Sequence, residues 1–389
     1  MIKKILLPNT ERIIQRDIAN GFSGISLVVN YKNEIIHNSS SGYALRYGRD
    51  GGYLAEPKLL TDNMLFDLAS LAKIFVTTYA LMYLYERNKI SLDRLITYYI
   101  PEFSFSNSEY IPTIRHLLSH ITGLAPEIHF YDSNDNNQFY SQDRESTVEM
   151  LLTKLPLVTE PLKYSVYSDN SMMILGCLIE RLTDQRLDVF VDEVIYKPLG
   201  LERTCFNPLS HNFKPDDIVA TQIDGHLNNG TRCFNNIRKE LLRGEVHDEK
   251  ALYSMGGVAG HAGIFGTSSE TAILASLLWT DNEFFSPETV ALFRQSSSVN
   301  ESFGLGFRLA KGREMRQFWG ESCSNNSFGH LGFTGISLMV DPNVDLAVLI
   351  CGNSVHCPMI YPRQFLGKTY SCGKYNNVID SVYLDLGLV

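Results

Sequence analysis

What the chain has little of narrows it first. Two tryptophans and seven cysteines are found in 389 residues, and no two cysteines form a C-x-x-C pair. The cysteines (177, 205, 233, 323, 351, 357 and 372) are odd in number and scattered. Such a set supports neither a disulfide framework nor a structural zinc site, and it fits a reducing compartment. Positive charge is short as well: 34 Lys+Arg against 43 Asp+Glu gives a net charge of −9. That disfavours a broad nucleic-acid or anionic-membrane surface, which needs clustered Lys and Arg. Long apolar runs are missing. The longest candidate, Ile74 to Tyr85, contains two threonines and falls short of the ~18 residues that span a bilayer. The Met1–Pro8 start holds two lysines, but its apolar stretch ends after three residues, too short for a signal-peptide core. As written the chain is expected to be cytoplasmic, and an exported protein shorn of its leader would read the same. G-x-S-x-G, Walker A and G-x-G-x-x-G are all absent.

What remains is an ordinary globular composition, 44% hydrophobic and 20% charged, in a chain long enough to bury a substantial core. Residues 10 to 20 suggest an amphipathic helix. Ser23–Tyr31 and Glu34–Tyr43 alternate like a strand pair around Lys32-Asn33. From Leu65 to about Leu201 the pattern is helical, with helices expected to begin near Ala69, Thr113, Glu145, Asp169 and Asp188. Asn228-Asn229-Gly230 reads as a turn. A Gly-rich stretch, Gly256 to Gly263, precedes helix-like segments at 269–279 and 286–295. Strands return at 303–309, 335–340 and 345–351. This order predicts an α/β fold: an antiparallel sheet flanked by helices and built from both ends of the chain, 1–65 and 250–389, with an all-helical lobe, 66–249, inserted.

Three weak constellations carry chemistry. Ser70-Leu71-Ala72-Lys73 places a hydroxyl and an amine on one helix face. A lysine buried in so apolar a helix is costly unless paired or neutral, and desolvation lowers its pKa toward that of a general base. The same residues also suit a serine cap and a lysine reaching solvent. The spacing is not rare, since Ser371-Cys372-Gly373-Lys374 repeats it in a poorer helical setting. Tyr167-Ser168-Asp169 opens a helix: the phenol beside an amine can shuttle a proton, and Asp169 is equally a good N-cap. His330-Leu331-Gly332 enters the last hairpin, where glycine permits close backbone approach. The Phe333 N–H could there pair with that of Ser70 as an oxyanion hole, with His330 placing a donor near substrate. H-x-G recurs at His261-Ala262-Gly263. His116 and His120 have zinc-ligand spacing without a third ligand, and Val246-His247-Asp248-Glu249 reads as a polar loop, so no metal site is expected.

Order and spacing together resemble the serine β-lactamase and penicillin-binding-protein-like superfamily, in its class C-like branch of esterases and D,D-peptidases. The resemblance is carried by Phe66 to Lys73, Ile114 to Leu124, Tyr167-Ser168-Asp169, Pro198 to Leu201, Gly257 to Gly263 and Gly329 to Gly335. It implies acyl-enzyme chemistry at Ser70 assisted by Lys73 and Tyr167. It also implies an oxyanion hole of the Ser70 and Phe333 amides, a substrate-binding set of Asp169, His330, Gly332 and His261, and no cofactor. The implied substrate is a small molecule or peptide, a small ester or D-amino-acid peptide amide. Asp169 and His330 stand where class C β-lactamases carry Asn and Lys, which implies weak β-lactam hydrolysis at most. A penicillin-sensor-like receptor that acylates with little turnover shares every motif. No residue pattern specifies an oligomeric state.

Overall fold

Alternating apolar residues in Gly24–Tyr31 (β1) bury side chains on both faces of the strand, which therefore lies inside a sheet covered on both sides. Val28 packs into one core, and Ile25, Leu27 and Val29 into the other. In the computed structural model, which describes residues 5–133, 137–225, 234–361 and 364–389, β1 turns through Lys32 and Asn33, both at positive φ, into Glu34–Tyr47 (β2). Tyr53–Leu59 (β3) follows. Three two- or three-residue strands, Phe66–Asp67 (β4), Cys205–Phe206 (β5) and Ile264–Gly266 (β6), form a small sheet in the order β4-β6-β5. The main sheet is completed by Arg308–Leu309 (β7), Phe328–Gly332 (β8), Ile336–Asp341 (β9) and Leu346–Gly352 (β10), in the order β3-β2-β1-β10-β9-β8-β7. Every ladder is antiparallel. The β1–β10 pairing joins the two chain ends, as the strand–helix–strand order predicts.

The expected helices are present at 69–71, 114–118, 144–153, 169–183 and 187–191. No described helix is long and apolar enough to cross a membrane. The Ile74–Tyr85 segment is a buried rod, a π-helical turn over Lys73–Thr78 continued by the α-helix Tyr79–Glu86. Three expectations change. Only Arg308–Leu309 of the 303–309 segment is strand. β3 was not expected, because Pro57 and two charges interrupt any alternation; it is an exposed edge, where proline is tolerated. The tail after Gln364, unplaced by sequence, forms the helices Ser371–Lys374 and Asn376–Asp385 and packs with Pro8–Ala19 over the second core. Met1–Lys4, the Asn228-Asn229-Gly230 turn and Cys233 lie outside the described residues.

Candidate active site

A cavity of about 550 Å³ opens where the small sheet, the helical rods and the end of β8 meet, with Ser70, Tyr167, Asp169, His330, Gly332 and Phe333 in its wall. Ser70 sits in the one-turn helix Ala69–Leu71, and Lys73 begins the π-helical turn behind it. The Lys73 ammonium, fully buried, donates to Ser70 Oγ at 2.9 Å and to the His261 carbonyl at 3.2 Å. The Tyr167 phenol neighbours both Lys73 and Ser70, with the Lys73 ammonium 4.9 Å from the centre of its ring. Its ring is flanked by His120 at 5.2 Å and His330 at 5.8 Å. The structure thus brings the three separate motifs into one cluster.

Of the two states open to a buried lysine, paired or neutral, Lys73 takes the paired one. Burial pulls its pKa down, but the Asp169 carboxylate at 2.8 Å, with Tyr167, outweighs this and holds it above the ordinary value. Lys73 is an ammonium, not a neutral base. Asp169 is free to do this because Ser168 is the N-cap of Asp169–Thr183, accepting from the Ser171 N–H at 3.0 Å. Asp169 is the first helical residue, its carboxylate turned to the lysine. On Tyr167, burial raises the phenol pKa and the neighbouring ammonium opposes that rise.

His330 also departs from its expected part. Its Nδ1 donates to the Leu331 carbonyl at 2.8 Å, while burial, with Lys73 and Arg308 nearby, keeps its pKa well below 6.5. A neutral ring with the proton on Nδ1 leaves Nε2 as an acceptor, not the donor the sequence suggests. Gly332 is required by protein rather than ligand: a Cβ there would lie 2.8 Å from the Leu68 carbonyl. That close approach brings β8 against the Ser70 turn, and the Thr334 hydroxyl locks it by donating to the Asp67 carbonyl at 2.7 Å. No described residue accepts from the Ser70 or Phe333 backbone N–H.

The His261 ring does not line the cavity. It is 1% exposed and its Nε2 pairs with Asp248 at 2.9 Å. The Gly-rich stretch around it is a packing loop, since a Cβ on Gly260 would meet the Met172 carbonyl at 2.2 Å. His116 bonds Tyr110 Oη at 2.8 Å as part of a helix cap. His120 accepts from the Ser168 N–H at 3.2 Å; burial lowers its pKa to about 3.

Residues 10–362 match the β-lactamase family. The chain belongs to that family. It is accordingly a β-lactamase-related serine hydrolase. An N-acetylmuramyl-L-alanine amidase of Bacillus subtilis (strain 168) is 36% identical over 391 residues, covering 97% of this chain and 88% of its own. A protein of Escherichia coli O157:H7, provisionally named a D-alanyl-D-alanine carboxypeptidase, is 36% identical over 395 residues, 98% and 90% of the two chains. Among solved structures EstCE1, a hydrolase with promiscuous acyltransferase activity, superposes with a TM-score of 0.71 at 20% identity, covering 96% of this chain and 97% of that one; this likeness shows the β-lactamase fold.

Within this family fold, several wall residues escaped the sequence reading. Of Val246-His247-Asp248-Glu249, which reads as a polar loop, the last three line the cavity, and Lys250 follows them there. The Lys250 ammonium lies 3.1 Å from Asp169, 3.2 Å from Asp248 and 2.9 Å from Glu127. Donor atoms of Asp169, Asp248 and His261 lie within 4.8 Å of one another, but a cation there would compete with this ammonium. Asp67 is also buried; desolvation pushes its carboxyl up to about 6, against two backbone donors. The tail adds Phe365, Lys368 and Tyr375 to the wall, with the Lys368 ammonium 3.4 Å from the centre of the Phe333 ring. Only the run at 246–249 carried any signal, and it does not differ from that of a solvated loop.

Proposed function

We propose that this hydrolase cleaves a D-amino-acid peptide amide, or a small ester of similar size, through an acyl-enzyme on Ser70. The observation that carries the reading is the contact of Ser70 Oγ with Lys73 Nζ at 2.9 Å, beside the Tyr167 phenol, at the wall of an open cavity. The names of the two 36% identical relatives, both of amide-cleaving enzymes, favour the amide.

Ser70 Oγ bonds to the substrate carbonyl carbon while its proton passes to the Tyr167 oxygen and the phenol's own proton moves on toward the leaving nitrogen or oxygen, so that Tyr167 remains a neutral phenol. The carbonyl oxygen becomes an oxyanion held by the Ser70 and Phe333 N–H groups. Tyr167 hands a proton to the leaving nitrogen or oxygen as the bond to it breaks. The Lys73 ammonium, pinned by Asp169, stabilises the charge that develops on the serine and phenol oxygens. Water then attacks the ester through the same groups and returns the proton to Ser70. An arginine, Arg308, stands in the wall beside His330 and supplies the cation for a substrate carboxylate that His330 does not.

Intact-mass spectrometry with D-alanyl peptide, ester and β-lactam donors tests this. A transient Ser70 adduct that clears as amide or ester product forms supports hydrolysis. An adduct that persists with no product from any donor favours the receptor reading. The same adduct on Ser70→Ala removes the proposal.

A further inference from the structure

The turn that carries the nucleophile is strained. Ala69 has φ +47°, a left-handed conformation that is unfavourable for a non-glycine residue. Asp67, 3% exposed, offsets that cost. Its Oδ1 accepts from the Ala69 N–H at 2.8 Å, and its Oδ2 accepts from the His247 N–H at 2.7 Å. Its own carbonyl takes the Thr334 hydroxyl. One buried residue therefore joins the Ser70 turn, the loop whose Lys250 pairs with Asp169, and the turn that follows Phe333.

We propose that Asp67 is a positioning residue of the hydrolytic reaction: its carboxylate holds Ala69 in the left-handed conformation and so aims the Ser70 hydroxyl and N–H at the reacting carbonyl. The inference rests on Ser70 being the nucleophile. Both carboxylate oxygens are used by N–H donors, from segments 178 positions apart in the chain that both line the cavity. Asparagine can keep the Ala69 acceptor but turns its amide toward a donor at His247. Alanine loses both.

The test is the single-turnover rate of Ser70 labelling by a fluorophosphonate, alongside kcat, KM and thermal midpoint. Asp67→Ala is expected to slow labelling and kcat about 100-fold, the scale of a misaimed nucleophile, with KM changed less than about threefold. Asp67→Asn falls between. Because glycine adopts positive φ freely, adding Ala69→Gly to Asp67→Ala should restore about tenfold; a role confined to general stability would show no such kinetic rescue. A folded Asp67→Ala that labels at the wild-type rate overturns the proposal and leaves Ser70 as nucleophile. So does a double variant no faster than the single. Should the alanine variant not fold, the same comparison is made on Asp67→Asn with and without Ala69→Gly. Wild type that does not label at Ser70 overturns both this and the functional reading.

Discussion

The chain contains S-x-x-K twice, and the two copies differ in everything but spelling. Ser70 follows a left-handed alanine and faces a cavity; Lys73 is fully buried and ion-paired to Asp169 at 2.8 Å. Ser371 is buried in a four-residue helix, its hydroxyl accepting from Arg16 at 3.0 Å and from Asn377 at 3.2 Å. Lys374 is exposed. In the first copy the hydroxyl meets a charge that cannot leave and a phenol that can exchange protons. In the second it meets only groups that use it to pin the tail to the first helix. A motif names residue types; the third partner, drawn from far along the chain, decides whether they do chemistry.

The sharpest way to break this contrast is to exchange the serines. Ser70→Ala should abolish acyl-enzyme formation in the mass-spectrometric assay, and Ser371→Ala should leave it intact. The lysines come next. Lys73→Met should lower kcat by about 10²–10³-fold, the range for loss of one group that stabilises developing charge, whereas Lys374→Met should stay within about twofold. Comparable losses from both lysines would mean that burial and pairing do not separate the copies.

A subtler probe changes the third partner. Asp169 raises the Lys73 pKa, so Asp169→Asn lowers it. If catalysis needs the ammonium, activity is lost as pH rises through that pKa. The alkaline limb of the kcat/KM profile should therefore move to lower pH in the variant. A limb that stays put, or moves up, contradicts the assignment of Lys73 as a resting cation.

These partners explain what was legible in the sequence. β1, β9 and β10 announce themselves as apolar runs buried on both faces, β2 as a half-buried alternation after the Lys32-Asn33 turn, and Thr113 and Asp143 cap their helices with local hydrogen bonds. Ser70 and Tyr167 were visible as members of a spaced set. Asp67 and Lys250 were not: Asp67 reaches His247 across 180 positions and Lys250 reaches Glu127 across 123, so no local pattern marks them. Asp169 was visible with the cap left open as one alternative, since a cap and an ion-pair partner look alike at a helix start; the structure gives the cap to Ser168 and turns Asp169 to Lys73. His330 lines the cavity, yet its proton position depends on the Leu331 carbonyl, a matter of rotamer that no sequence records.

The smallest expected effect lies in the tail that carries the second copy. Asp385 Oδ1 accepts from the Asn9 N–H at 3.1 Å and Nδ2 at 2.7 Å, while Oδ2 accepts from the Thr10 N–H at 2.9 Å and Oγ1 at 2.8 Å. The first turn of Pro8–Ala19 is thus capped from the far end of the chain, in the absence of any side-chain cap at Leu7. Asp385→Ala removes these acceptors and should cost about 1–2 kcal/mol, the usual worth of a helix N-cap, read as a lower midpoint in urea. The same four donors, Oγ1 and Nδ2 among them, hold the Asp385 pKa below its ordinary value despite burial. A depressed carboxyl adds stability that is complete above the unfolded-state pKa, about 3.9, and fades as pH falls through the lower folded one. The gap between wild type and Asp385→Ala should accordingly close in acid, while the rate of Ser70 acylation at neutral pH stays unchanged. If that rate fell with the tail's stability, the second S-x-x-K region would be part of the catalytic frame after all, because Phe365, Lys368 and Tyr375 in the cavity wall belong to the same segment.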